Sequence, residues 1–403
     1  MKSVRSPLVR QYSRRLAAEV LIKEAPISRA DLARATGLSK QTMSEVVGEL
    51  VGEGWVKAVG STSGSVGRSA VTYEVARQAA FSLGVDLGGS KVSAALANLI
   101  GEVVAETTET TDPRGGRHIL KQIRELAIGL AAGKRIPFDR IRSVVVGTPG
   151  VLDAATGAIR LVPNIQGLSE IDVAAELKQL FGQTVTIEND INLAMLGETW
   201  QGCAQGCENA AFLALGTGTG LGLIVNGKLA RGSGGAAGEI SYLPVGTDLY
   251  SPEALATGAF EREVGARAIL DRYGAAGGTA VDGVRDIFAR LEAGDPLASR
   301  VIDQTAHVVG LAIAAICAIV DPEIVVMGGS IGIRSELIAR VRGGVGKVFD
   351  RPVSIVPSLL GNRAGLIGAL SMAVNRLHNT LFGIAGLPGD LGLPAISIAK
   401  AAE

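Results

Sequence analysis

The run Glu188-Asn189-Asp190-Ile191-Asn192 sets four polar side chains in five positions, where the strand-like QTVTI gives way to the helix-like LAMLGETW. An Asn donates and accepts at once, and an Asp accepts hydrogen bonds or takes a proton, so Asn189 and Asp190 suit a polyol ligand. Acidic residues at a helix N-terminus are also explained with no ligand at all. Two further carboxylates, Glu239 and Glu253, lie in GEISYLPVGTDLYSPEALATG, residues 238–258, with Gly238, Gly246 and Pro252 as punctuation. Neither His nor Cys stands between them. Such a stretch is either a solvated connector or a loop whose polar groups face a pocket. Two glycine-rich turns offer a third chemistry: Asp86 with Gly88, Gly89, Ser90 and Lys91, and Gly216-Thr217-Gly218-Thr219-Gly220. Glycines let backbone N–H groups approach an anion, Thr hydroxyls add donors, and Asp86 at a strand end could hold a metal or water beside them. Taken alone, each turn is also an ordinary hairpin connection.

Strands are needed to carry these residues, and the apolar runs supply them. FSLGVDLGGSKVSAAL (81–96) reads as strand, turn, strand, and NAAFLALGTGTGLGLIVNGKLARG (209–232) repeats that plan. IRSVVVGTPGVLD (141–153) and QTVTIENDINLAMLGETW (183–200) are strands running into polar turns, and DPEIVVMGGSIG (321–332) is a buried strand ending in Gly-Gly before a helical stretch. A chain of 403 residues with 47% hydrophobic content predicts two or three domains. The most apolar run, VVGLAIAAICAIV at 308–320, is short for a membrane span and reads as a buried helix. Cys203, Cys207 and Cys317 are too few for a disulfide framework and no secretory signal is recognisable, so a cytoplasmic location is expected.

The first eighty residues differ in character. They hold 12 Lys+Arg against 7 Asp+Glu, although the whole chain has formal net charge zero, which points to a polyanion at that end. RQYSRRLAAEVLIKEA (10–25) carries a helical apolar stripe that Pro26 ends. Ser28 caps a short helix that Gly37 closes, and Ser39 caps the next, SKQTMSEVVGELVGEGWV. Two short helices joined by Thr-Gly-Leu-Ser describe a helix-turn-helix with Leu32, Leu38, Met43, Val46, Val47 and Leu50 as its core. Ser39, Lys40, Gln41, Thr42 and Ser44 lead the second helix, where a recognition helix meets base edges and phosphates. KAVGSTSGSVGRSAVTYEV then alternates as a hairpin, a wing whose Gly/Ser-rich tip carries Arg68. A protein-docking module with a solvated polar face is the plainer alternative.

Taken in order, DLGGSK, GTPGVLD, ENDIN, GTGTGLGLIVNGKLARG, GAAGE and DPEIVVMGGSIG resemble the ROK family (repressors, open reading frames and sugar kinases) over roughly residues 79 to 375. The winged helix before them is similar to the family's regulator branch, the xylose- and N-acetylglucosamine-responsive repressors. The resemblance implies an N-terminal winged helix-turn-helix (1–78) before an actin/hexokinase-like domain. That domain would have two ribonuclease-H-like α/β lobes with a cleft between them: 79–195, and 196–382 with its C-terminal helix packing back on the first lobe. Residues 383–403 form a Gly- and Pro-bearing tail to which no function is attached. It further implies a sugar or polyol site built from Asn189, Asp190, Glu239, Tyr242 and Glu253. The family's zinc-binding segment, Gly-Glu-X-X-His followed by a cysteine run, appears here with Tyr242 at the His position and TDLYSPE for the cysteines, so no metal is expected.

Three functions then compete. A sugar-responsive repressor would use a dimer, or a dimer of dimers, on double-stranded operator DNA, with no required cofactor and no membrane. A sugar kinase would use Asp190 as base, with Asp86, Mg²⁺ and both glycine turns holding ATP. A non-enzymatic docking scaffold leaves the sugar-site residues unexplained. The fused winged helix, which a kinase does not need, favours the repressor.

Overall fold

A computed structural model describes residues 7–62, 70–152, 159–160, 165–246 and 248–383. The N-terminal stripe forms α1 (Pro7–Glu24), followed by β1 (Ile27–Ser28), α2 (Arg29–Thr36), α3 (Lys40–Gly52), β2 (Val56–Thr62) and β3 (Ala70–Val75). The expected caps set the helix ends. Ser28 Oγ accepts the Asp31 amide at 3.2 Å, Gly37 takes the left-handed conformation at φ 71°, and Ser39 Oγ accepts the Thr42 amide at 3.1 Å. A three-stranded sheet in the order β1-β3-β2 completes a winged helix. Leu32, Met43, Val46, Val47 and Leu50 are buried in its core, with Leu38 partly buried beside them. The wing tip with Arg68 lies outside the described residues.

Two units account for the chain: Met1–Thr148 with Asp153–Ile187 and Ala369–Glu403, and Pro149–Leu152 with Glu188–Gly368. After the winged helix, the first holds β4 (Phe81–Leu87), β5 (Lys91–Asn98), β6 (Val103–Thr110), α4 (Gly116–Gly133) and β7 (Ile141–Thr148). Beyond β8 (Val151–Leu152), which belongs to the second unit, and β9 (Ile159–Arg160) come α5 (Val173–Phe181) and β10 (Thr186–Asn189), whose last two residues also belong to the second unit. The sheet order is β10-β7-β4-β5-β6, with β4 antiparallel to β5 and parallel to β7. β4 reads as an almost continuous apolar run because it is buried between its neighbours.

The second unit contains α6 (Asp190–Gln201), β11 (Ala210–Leu215), β12 (Thr219–Val225), β13 (Lys228–Leu229), α7 (Pro252–Thr257), α8 (Ala259–Val264), α9 (Ala266–Ala275) and α10 (Val284–Glu292). It continues with α11 (Pro296–Val320), β14 (Ile324–Gly328), α12 (Gly329–Gly332), α13 (Ser335–Val345), β15 (Ser354–Pro357) and the first turn of α14 (Ala364–Phe382). Its sheet order is β13-β12-β11-β14-β15. The run at 308–320 is the C-terminal half of α11, which is long and apolar enough to cross a membrane by length and composition. Val301, Val309, Ile313 and Ile316 on that helix are buried in the unit's core.

The chain leaves the first unit at Ile187/Glu188 rather than at the expected 195/196, and from Ala369 α14 belongs with the first unit. The early crossing has a local cause. β10 runs into α6 with no linker, and α6 packs backbone-close on β12. A Cβ at Gly222 would fall 2.7 Å from the Ile191 carbonyl oxygen, and one at Gly220 would fall 2.7 Å from the Ile191 side chain. Gly220 is therefore a packing glycine, a role the GTGTG pattern alone does not distinguish from anion binding.

Candidate effector site and DNA-binding face

At the β10–α6 junction the chain spends most of its polar groups on holding itself. Asn189 caps α6, its Oδ1 accepting the Ile191 and Asn192 amides at 2.9 and 3.1 Å, and its Nδ2 donates to the Gly150 carbonyl at 3.1 Å. Glu188 accepts from Asn192 Nδ2 at 3.0 Å and from Arg231 Nε at 2.7 Å. Arg231 and Glu188 thus form the support behind the pair, a contact across 43 positions that local pattern does not reveal.

Asp190 is different. Burial pushes its carboxyl up to about 6, against two backbone hydrogen bonds that favour the charge, and the nearby Glu239 carboxylate adds to the rise. Glu239 is itself raised, first by burial and then by the charge of Glu261. Gly238 places it: φ is 92°, and a Cβ there would lie 1.9 Å from the Leu221 carbonyl oxygen, so only glycine lets this segment lie against β12. Glu239 makes no side-chain hydrogen bond or ion pair among the described residues. Two desolvated carboxylates with spare acceptor capacity need donors, and ligand hydroxyls would supply them.

The rest of 238–258 behaves otherwise. Ile240–Tyr242 is a 3₁₀ turn, and Tyr242 is 40% exposed. Ser251 caps α7 by accepting the Ala254 amide at 3.1 Å, and Glu253 sits exposed in the first turn of that helix. The structure couples Asp190 with Glu239 but leaves Tyr242 and Glu253 at the surface of the unit.

The glycine turns also differ from each other. In the first, the Gly88 amide donates to the Lys91 carbonyl at 2.9 Å and Thr111 Oγ1 donates to the Gly88 carbonyl at 2.8 Å. Gly89, Ser90 and Lys91 are exposed, and Asp86 is half-buried, in register with Ser93 and Gly147. In the second, the Thr219 amide and hydroxyl donate to Glu261 Oε2 at 2.8 and 3.3 Å. The Gly216 amide is taken by the Gly218 carbonyl at 2.9 Å, and the Gly216 carbonyl accepts the Ala266 amide at 3.0 Å. Glu261 is a residue that sequence patterning does not single out.

Among the described residues, no group of three or more His, Cys, Asp or Glu side chains could hold a metal ion. Cys203 donates to the buried Glu198 at 3.3 Å, and burial followed by that carboxylate pushes its thiol up to about 12, which keeps it protonated. Glu198 also accepts from the Cys203 and Leu360 amides and from the Ser358 hydroxyl, which makes it a structural tie.

On α3, Lys40, Gln41 and Ser44 are exposed, and Gln41 Nε2 reaches Glu45 at 3.2 Å. Thr42 departs from expectation. It is only 6% exposed and its hydroxyl lies 2.8 Å from Ser39 Oγ, because position 42 turns toward the core one residue before Met43. Ser39 serves as the cap. Arg29, not anticipated, donates to Ser44 Oγ at 3.3 Å and lies over the Tyr73 ring at 4.9 Å. The basic face of α1 is partly neutralised, since Arg10 and Arg14 pair with Glu49 and Glu53.

Known proteins share this organisation. The ROK family model matches residues 82–376, and the MarR family model matches residues 16–68. The xylose repressor of Caldicellulosiruptor bescii is 26% identical over 392 residues, covering 91% of this chain and 96% of that protein. The glucokinase of Thermotoga maritima is 28% identical over 314 residues, covering 73% of this chain and 98% of its own. A crystal structure of a ROK family transcriptional regulator, a homologue of the E. coli MLC protein, has a TM-score of 0.73 at 23% identity and covers 91% of this chain and 96% of that one. The kinase likeness covers 73% of the chain, whereas the two regulator likenesses each cover 91%. With its winged helix and its two α/β units, the chain belongs to the ROK family.

Proposed function

We propose that this protein is a sugar- or polyol-responsive transcriptional repressor acting in the cytoplasm. A winged helix within residues 1–78 would bind operator DNA, and the effector would bind at Asp190 and Glu239. The observation that carries the proposal is the winged helix itself, with Lys40, Gln41 and Ser44 exposed along one helix and a paired β2–β3 wing beside it. Relatives named xylose repressors are similar over nine-tenths of this chain, so xylose heads the list of effectors to try. Asn189 would orient Asp190 rather than serve as a free ligand donor, because its oxygen is committed to two α6 amides. Tyr242 and Glu253 would reach the effector only from the rim.

A homodimer, or a dimer of dimers, on a palindromic site is the assembly that matches a winged-helix regulator, with half-sites spaced by whole helical turns. The test is selection of bound duplexes from a random library, followed by anisotropy titration with and without monosaccharides, polyols and inositols. Expected is one recovered palindrome whose affinity changes at least tenfold with one sugar, and a thermal midpoint raised by that sugar but not in Glu239→Ala. Recovery of no sequence, or a sugar effect that survives Glu239→Ala unchanged, would count against it.

A further inference from the structure

Glu261 does something that the repressor function does not require. Its carboxylate takes the Thr219 amide at 2.8 Å and the Thr219 hydroxyl at 3.3 Å, at the turn where GTGTG has the composition of a phosphate clamp. No Lys, Arg or His pairs with Glu261 among the described residues, so its charge is held by backbone and hydroxyl donors, as a bound oxyanion would be. The approach is built in on both sides. A Cβ at Gly218 would fall 3.0 Å from Glu261 Oε2, so any larger residue there would press on the end of the carboxylate and shift it by a few tenths of an ångström. At the α8–α9 junction a Cβ on Gly265 would fall 2.8 Å from the Glu261 carbonyl oxygen, and the next amide, Ala266, closes on the Gly216 carbonyl at 3.0 Å. The Gly216 amide is already spent inside the turn.

We infer that Glu261 is an internal anion filling the second glycine turn, and that it excludes the polyphosphate of a nucleoside triphosphate from a site that would otherwise accept one. Two effects act together. The donor a phosphate oxygen would use is occupied, and a fixed negative charge stands where the phosphate charge would be. On this basis the Mg-ATP expected for a kinase does not fit the second turn as the chain presents it. The inference concerns nucleotide alone and holds whatever effector or operator the protein uses.

The test measures binding of MgATP and its non-hydrolysable imido analogue to the full-length protein by calorimetry, for wild type, Glu261→Ala, Glu261→Gln and Glu261→Asp. Wild type should show no saturable binding at millimolar nucleotide, and Glu261→Ala should gain binding at least tenfold tighter than wild type. Glu261→Gln, which keeps an acceptor but loses the charge, should fall between them, and it serves if the alanine variant does not fold. Glu261→Asp, a methylene shorter but still charged, should remain closed. Wild-type binding equal to that of the charge-removed variants would overturn the inference, since the carboxylate would then exclude nothing. So would folded Glu261→Ala and Glu261→Gln that both bind no nucleotide, since the turn would then not be a latent phosphate site.

Discussion

Asp190 holds its proton to about pH 6 because burial, with the Glu239 charge behind it, disfavours its carboxylate. In the free protein the folded pKa stands above the unfolded value near 3.8, so this group's contribution to stability falls as pH rises from about 4 through about 6. A bound sugar hydroxyl donating to the carboxylate reverses that preference. Effector affinity should therefore rise with pH through 6 and level off above it, weakening at pH 5 by at most about tenfold however far the ligand lowers the pKa, because pH 5 lies only about one unit below the free value. Calorimetry near pH 6 in buffers of different ionisation enthalpy should show proton release on binding. Affinity that falls as pH rises would mean Asp190 donates from its protonated form instead, and Asp190→Asn should flatten the profile in either case. A second residue-scale expectation concerns α3. Lys40→Ala should weaken binding to all duplexes alike and reduce the salt dependence, whereas Gln41→Ala should relax preference at one base position, at a loss of about 1–3 kcal/mol there.

At the scale of elements, α6 is fixed by glycines at three contacts. Gly220 and Gly222 let β12 approach it, Gly197 lies where a Cβ would fall 2.3 Å from the Ala364 carbonyl oxygen, and Gly368 lies where one would fall 1.7 Å from the Leu193 carbonyl oxygen. The first turn of α14 and α6 thus cross with their backbones in contact, and Gly368→Ala must push them apart. We expect a loss of about 1–3 kcal/mol, the range for overpacking a close-packed site, read from the denaturant midpoint at unchanged slope. Unaltered stability would show that the crossing can open freely. These elements also show what sequence makes legible. Ser28, Gly37 and Ser39 mark their helix ends within four residues of the effect, and alternation from 57 to 75 marks the wing, so the DNA-binding half can be read locally. The Thr42 orientation is missed because a polar residue on a buried edge carries no signal of its own. Asp190 and Glu239 are legible as residue types, but the Thr219–Glu261 contact spans 42 positions and the Glu188–Arg231 pair spans 43, so neither leaves a local pattern.

For the molecule as a whole, α14 is the one helix among the described residues that is divided between the two units, Ala364–Gly368 in one and Ala369–Phe382 in the other. Its later turns do two things in the first unit. Leu370 lies under β4, where a Cβ at Gly84 would fall 2.7 Å from the Leu370 amide nitrogen. Leu377 and Phe382 are buried in one cluster with Leu21, Leu32, Met43, Tyr73 and Val75 of the winged helix. His378 beside them is buried, its Nε2 2.6 Å from the Leu99 carbonyl, and burial depresses its pKa, so this imidazole stays neutral at neutral pH. The DNA-binding module therefore shares its core with α14 instead of hanging from a flexible linker. Any effector-driven displacement of α14 would reach the winged helix through packed side chains, which carry displacement well because interiors are dense. Leu377→Ala should remove about 2–4 kcal/mol from that seam while touching neither Asp190 nor α3. The effector should bind the variant with near wild-type affinity, and the operator should still be recognised, but the ratio of operator affinities with and without effector should collapse from about 5–150-fold toward one. By linkage, saturating operator should shift effector affinity by the same reduced factor. If the ratio persists in a folded Leu377→Ala protein, coupling runs by some route other than this helix, and α14 is only an anchor.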